Sequence, residues 1–499
     1  MGFLARLWNG FSVLLPWAGR RAIFEHVQSH LHPSGVGLCN GGELLPDEDK
    51  ISGKCCLSFA PGAFDGTLAG SRVEEEDSEE LYSALATAAR RGFGYQWCRL
   101  YEMLAQRMAL DYGDDLIERI VERRDIDAAG LYTLARFLVE RAPDREAVKF
   151  GIALLGIFRN TGDRDIFMTL GRHDEFTLYC AVALVRTQED PEDSLWSLAR
   201  SVRGWGRVQV VERLSDTENP RIKDWLLREG FRNTIMYQYV ACTCAVAGDL
   251  FEALEQGNLD DELIDGACDI LAALASGGPA EDMEDFPDGP ECTELLLQEM
   301  TARAATLSHF CSIAQIRLFL NARADDKPRP QKELGWSKEL CLELCCRCDE
   351  ILYRSWWPEQ VRAGLESEAE EEFLLAARAA KVLKIPTFKY HWRRLLKSPK
   401  LPSRWFFAID SMQYEDLDAM ISFAERNLNL HAIASGPAED LGIGQGYREH
   451  TCLDIVLQKL GQYPGKGWEL IETSLLSPVV RNRVRAREVL EKWKGQERG

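Results

Sequence analysis

The chain has 499 residues, 46% hydrophobic and 28% charged, with 79 acidic against 59 basic side chains and a formal net charge of −20. That composition is globular rather than disordered, the acid excess repels polyphosphate and so argues against a nucleic-acid partner, and the length calls for several domains or one elongated repeat array. Fifteen cysteines without a convincing secretory signal point to free thiols in a reducing cytoplasm.

At the N-terminus, the apolar run Leu7 to Trp17 is interrupted by Asn9, Gly10 and Pro16. It is shorter than the roughly 20 residues of a spanning helix. A packing or interfacial helix is expected there, and no integral membrane segment anywhere. Residues 1–75 read as an irregular cap, with turn signals at Pro33-Ser34-Gly35, Gly41-Gly42, Pro61-Gly62 and Asp65-Gly66. His26, His30 and His32, with Cys39 beyond them, could hold zinc or iron with an open position. The preferred reading is a polar helix end before Pro33, with no metal.

Amphipathic helices begin near Asp77-Ser78, and residues 76–276 are expected to form a first helical repeat region. Leu81, Leu85, Ala88 and Ala89 fall on one face, as do Leu116, Ile117, Ile120 and Val121. Later stripes are Leu195, Leu198, Ala199 and Val202, then Ile222, Trp225 and Leu226, then Leu263, Ile264, Ala267, Ile270, Leu271 and Leu274. A recurring punctuation marks the starts: Asp190-Pro191, Asn219-Pro220 and, near the end, Ser477-Pro478. Proline suits the first helical position and the preceding polar side chain accepts a bond from the orphan amides. Gly277-Gly278 ends the third stripe.

Residues 277–330 read as a linker with a connecting helix, and 331–499 as a second helical repeat region, with a glycine-rich joint at 435–446 and two closing helices. In this second region Cys341, Cys345 and Cys348 have the spacing that radical enzymes use for a four-iron cluster. They also fall on one apolar stripe with Leu340, Leu344, Ile351 and Leu352, and packing is the preferred reading. Gly442, Gly444 and Gly446 suggest a dinucleotide loop, but no strand precedes them and a turn between helices is preferred. Tyr353, Trp356, Trp357, Phe388, Tyr390, Trp392, Trp405, Phe406 and Phe407 are either core or the wall of an apolar ligand site. Lys381 to Arg404, and Arg481, Arg483, Arg485 and Arg487, are basic interludes that read as solvated helix faces. The fold class expected overall is all-α, a HEAT/ankyrin-like helical repeat array or α-solenoid with an irregular N-terminal cap.

The closing helix, Ser477-Pro478-Val479-Val480-Arg481-Asn482-Arg483-Val484-Arg485-Ala486 through Leu490, resembles the second helix of a HEAT repeat, and Thr451 to Leu457 resembles an ankyrin-type helix. Met1-Gly2-Phe3-Leu4 with Leu7-Trp8, the segment Phe59-Ala60-Pro61-Gly62-Ala63-Phe64-Asp65-Gly66 and the acidic helical body are together similar to bacterial proteins carrying the name limonene hydroxylase. The resemblance implies oxidation of limonene, a small apolar substrate, to carveol and perillyl alcohol, with NAD(P)-linked oxidation onward to carvone and perillyl aldehyde. It transfers no catalytic or cofactor-binding residue. Hydroxylating an unactivated C–H bond needs an oxygen-activating cofactor. The alternative from the residues alone is a non-catalytic HEAT-like scaffold that binds a protein partner.

Overall fold

The computed structural model describes residues 19–52, 60–63, 75–257, 259–325 and 335–496. The N-terminal run Leu7 to Trp17, most of Phe59 to Gly66 and the break after Asp325 lie outside these residues. Every regular element among the described residues is a helix, with isolated bridges at Leu31–Leu38 and Asp440–Val479. The protein is all-α. No helix is long and apolar enough to cross a membrane, among the described residues.

The capping residues act as the sequence leads one to expect. Asp190 Oδ1 accepts from the Glu192 amide, Asn219 Oδ1 from Arg221 at the start of Pro220–Trp225, and Ser477 Oγ from Val479 ahead of Val480–Gln496. Each satisfies a donor that helix geometry leaves without an intrahelical partner. The helix Asp261–Ala275 stops before Gly277, which takes φ +65°, a conformation that costs a residue with a Cβ. The stripes face inward: Leu198, Ala199, Ile222, Leu226, Ala267, Ile270 and Leu271 are fully buried. Val121, 47% exposed, and Trp225, half-buried, are the exceptions.

The chain divides into two compact units, residues 1–302 with 315–346, and residues 303–314 with 347–499. In the first, Glu75–Arg91 packs on Ala128–Arg141, which packs on Arg145–Gly156, then Asp174–Thr187, then Trp205–Val211. Among its described residues the irregular cap contains two short helices, Ile23–Ser29 and Glu48–Ser52. Ion pairs hold it to the helical body. Arg20 Nη1 reaches both oxygens of Asp144 at 2.9 Å and Lys50 Nζ reaches Oδ1 at 2.6 Å, while the Tyr101 hydroxyl donates to Oδ2. Arg145 pairs with Asp47 at 2.9 Å and Glu48 at 2.7 Å. The polar stretch after Gly277 is anchored as well, because Met283 and Phe286 are fully buried and Arg323 pairs with Glu284 at 3.2 Å.

In the second unit, Trp357–Glu366 packs on Glu370–Val382, and Phe388–Lys397 on Pro402–Ser411. Its core gathers Leu395, Trp405, Ala424, Leu453, Leu457, Leu470, Ile471 and Ala486. Three helices rather than two close the chain: Arg448–Leu460, Trp468–Leu475 and Val480–Gln496. Pro464-Gly465-Lys466-Gly467 and Ser477-Pro478 bracket the short middle one, whose brevity hides its period in the sequence.

Candidate functional site

The groups that look chemical in the sequence are mostly committed to structure. The His26 and His30 rings lie 4.3 Å apart, tilted by 33°, and one nitrogen of each meets backbone: His26 Nε2 is 3.1 Å from the Gly42 carbonyl and His30 Nδ1 2.7 Å from that of His26. His32 Nδ1 contacts Ser34 Oγ at 2.6 Å. Cys341, Cys345 and Cys348 line the buried stripe of Lys338–Leu352, with Cys345 Sγ 3.3 Å from Asn321 Oδ1. No group of three His, Cys, Asp or Glu side chains is placed to hold a metal, among the described residues.

The glycine run does not fit a dinucleotide phosphate. A Cβ on Gly442 would overlap the Val479 side chain, so the loop closes on a neighbouring side chain rather than around a ligand. It leads through Gln445–Tyr447 into Arg448–Leu460 with no strand before it. The nine aromatics do not converge either. Trp357 and Trp405 are fully buried, and Trp357 Nε1 donates to the Ile351 carbonyl at 2.7 Å, while Tyr353 and Phe406 are more than half exposed. The basic interludes face acids: Arg404 and Arg394 meet Glu370 at 2.7 Å, Lys397 meets Glu368 at 2.7 Å, Arg481 meets Asp454 at 3.4 Å and Arg483 meets Glu439 at 3.1 Å.

Two neighbouring features of the first unit stand apart. One is a dense ionic cluster at the start of Asp174–Thr187, covered by Ala60–Ala63, the described part of the Phe59–Gly66 segment. Lys149, only 2% exposed, places Nζ 2.6 Å from Glu175 and 3.2 Å from Glu146. Glu175 also accepts from the Gly62 amide at 3.1 Å, and Gln209 Nε2 donates to the Gly62 carbonyl at 3.2 Å. Three consecutive residues titrate in different directions. Burial lowers His173 to about 4 and raises Asp174 to about 7 despite the Gly206 N–H that Asp174 accepts. At Glu175 burial works upward, but Lys149 and Arg145 outweigh it and hold the carboxyl at about 2. Each strongly charged group here has a partner, so the cluster fastens the cap to the body.

The second feature is a pocket of about 500 Å³ lined by Arg200, Arg203, Arg207 and Arg232 with Trp225 and Tyr237, to which Glu229 contributes the one acidic side chain. Three segments build it. The Glu192–Ser201 helix ends at Ser201, whose carbonyl accepts from Gly37 at 2.7 Å and so brings Val36 to the rim. The corner before Trp205–Val211 presents Arg203, and the first turn of that helix presents Arg207. The helix Pro220–Trp225 continues as a wide π turn, Leu226–Gly230, into a loop held by Asn233, whose Oδ1 accepts from Ile235 at 2.9 Å and Met236 at 2.7 Å. Thr234 N–H donates to the Arg203 carbonyl at 2.8 Å, closing the ring. Such π turns occur often at functional sites.

The cations differ in their commitments. Arg207 is 6% exposed, donates to the carbonyls of Val202 and Glu229 at 2.9 Å and of Arg232 at 3.3 Å, and lies 5.3 Å from the Trp225 ring. Burial lowers its pKa to about 10. No carboxylate pairs with it within 4.0 Å among the described residues. Arg232 meets Asp269 at 3.2 Å. Arg200 lies 4.3 Å over Trp196, and Arg200 and Arg203 are exposed with no acid paired to either among the described residues. The sequence carried a signal for this site that the sequence reading passed over: no acid falls between Asp193 and Glu212, while Arg200, Arg203 and Arg207 do. No protein-family model, curated protein or solved structure matches the chain.

Proposed function

We propose that this protein is a non-catalytic scaffold, its helices stacked as a HEAT-like repeat array, that works in the cytoplasm by holding an anionic ligand in the arginine pocket of its first unit. The observation that supports this reading is a buried guanidinium, Arg207, that forms no ion pair among the described residues and is flanked by Arg200 and Arg203, against which the lining sets the single acid Glu229. Burying an uncompensated cation is costly. A bound anion removes that cost, and charge-assisted bonds from arginine are among the stronger ones available to it. On a chain of net charge −20, such a local excess of cations also concentrates anions at one place.

Limonene oxidation, which the resemblance implies, is the competing proposal. A hydrocarbon gives these arginines no counter-charge, so that reaction calls for another site. Calorimetric titration of the full chain with inorganic phosphate at low salt, beside an assay with limonene, NAD(P)H and oxygen, separates the two. Phosphate binding that is lost in Arg203→Glu, with no terpene turnover, supports the scaffold. Equal phosphate binding by wild type and Arg203→Glu, or carveol formation, overturns it.

A further inference from the structure

The unpaired charge and the aromatic wall of the pocket together restrict what the anion is. Of the four lining arginines, Arg232 is paired with Asp269 at 3.2 Å, and Arg207 directs Nε and Nη1 to backbone carbonyls. Arg200 and Arg203 remain, on either side of the Val202 turn, with no acid paired to them among the described residues. Glu229, the acid on the lining, offsets one of the three cations Arg200, Arg203 and Arg207, and the two charges that remain match a dianion better than a carboxylate, which would leave one uncompensated. Guanidinium forks also suit the oxygen geometry of phosphate.

The cavity, about 500 Å³, is within the range of small-molecule pockets and far larger than inorganic phosphate. What fills the remainder must suit the Trp225 indole and the Tyr237 ring, with Asn233 and Thr234 as polar neighbours. Flat rings prefer offset-stacked or edge-on aromatic partners. Trp225 is itself fixed, edge-on to Trp196 at 6.5 Å and beside Arg207. Tyr237 is fixed edge-on to Phe231 at 5.3 Å. The wall is therefore preorganised, and little ordering remains for a ligand to impose.

We infer that the ligand is a small phosphate monoester carried on a planar ring, its phosphoryl group between Arg200 and Arg203 and its ring against Trp225 and Tyr237. This rests on the anion-binding reading above. The test titrates the full chain with inorganic phosphate, phenyl phosphate and benzoate at one ionic strength. The expected result is phenyl phosphate at least tenfold tighter than phosphate, with benzoate weaker than either. Trp225→Leu should remove most of that advantage and leave phosphate binding unchanged, while Arg203→Ala, at an exposed position, weakens both phosphates. Should Trp225→Leu fail to fold, saturation-transfer NMR on the wild-type chain reads the same contact through the ring protons of phenyl phosphate. Adenosine monophosphate and O-phosphotyrosine, titrated in parallel, distinguish a nucleotide from an amino-acid source, the tighter of the two naming it. Phenyl phosphate no tighter than phosphate, a ring that receives no saturation, or benzoate matching phenyl phosphate overturns the inference while leaving anion binding in place. Failure of all three probes to bind removes both.

Discussion

Replacing Lys149 with methionine tests whether the buried ionic cluster fastens the first unit together. The substitution keeps the length of the side chain and its apolar stem but deletes a cation that is 2% exposed and 2.6 Å from Glu175. Glu175 would keep the Gly62 amide and Arg145 at 3.9 Å, so its charge would be only partly compensated. Breaking a buried pair from one side costs about 3–5 kcal/mol. The depression of the Glu175 carboxyl, against burial, by Lys149 and Arg145 points the same way. Folding lowers the Glu175 pKa from 4.5 to about 2, which corresponds to about 3 kcal/mol of stability. A depressed carboxylate contributes that stability above its unfolded value, and it is lost as pH falls from 4.5 towards 2. The chain has two units, so one global unfolding midpoint does not report this site. Hydrogen exchange at pH 7 across Arg145–Gly156 and Asp174–Thr187 does: protection in Lys149→Met should drop roughly 100-fold, and the further loss on acidification below pH 4.5 should be smaller than in wild type, because a Glu175 carboxyl no longer held down by Lys149 has less stability to lose. Less than a threefold change would refute the assignment, and so would an unchanged acid limb.

The adjacent pair His173 and Asp174 should oppose each other. A histidine lowered from 6.5 to about 4 contributes stability above 6.5 that is lost as pH falls to about 4, whereas an aspartate raised from 3.8 to about 7 contributes stability at low pH that is lost as pH rises through the same interval. His173→Gln should therefore expose a first unit that becomes less stable from pH 4 to 6.5, by about 3 kcal/mol in all, measured by exchange or by thermal midpoint. In the second unit Trp357→Ala should lower the melting temperature by emptying a fully buried site worth about 3–5 kcal/mol, while Phe406→Ala, 52% exposed, should shift it by under about 0.5 kcal/mol. Gly266→Ala should destabilise the first unit by about 1–3 kcal/mol, since a Cβ there overlaps the Leu227 carbonyl where Asp261–Ala275 crosses the π turn, and should weaken phosphate binding because that turn supplies the Glu229 carbonyl that holds Arg207.

Helix existence was legible in the sequence because it is decided locally. Asn219 before Pro220 and Ser477 before Pro478 satisfy amides two residues away, and stripes such as Ile264, Ala267, Ile270 and Leu271 repeat at the helical period within one element. Trp468–Leu475 was not legible, because eight residues between two turn-formers hold too few turns to establish a period. The fixing of the cap was hidden for a different reason. Asp144 with Arg20, and Arg145 with Asp47, are pairs separated by 124 and 98 positions, and in a chain that is 28% charged no spacing rule selects those partners from the others.

The arginine pocket shows the same limit at the level of chemistry. Arg200, Arg203 and Arg207 look in sequence much like Arg481, Arg483 and Arg485, each set being a run of bases among apolar residues. Folding separates them by what it brings opposite. The later set meets Asp454, Glu439 and Glu488, so its charge is neutralised internally. The earlier set meets Val36, Trp225, Tyr237, backbone carbonyls and the single acid Glu229, and the rest of its charge is left for something outside the chain. The acid-free run around Arg200, Arg203 and Arg207 is a hint of such a site, but the missing counter-charge that defines it is a relation to distant segments such as Val36, which no single-segment pattern encodes. The discriminating variant is therefore one that supplies the missing charge without altering the pocket's shape. Val36→Asp, at the rim, places a carboxylate against the arginines and should both weaken phosphate at least tenfold and slow hydrogen exchange along Trp205–Val211. Weaker phosphate binding with faster exchange would mean that Val36 was needed for packing, and the pocket would then be a structural seam rather than a site.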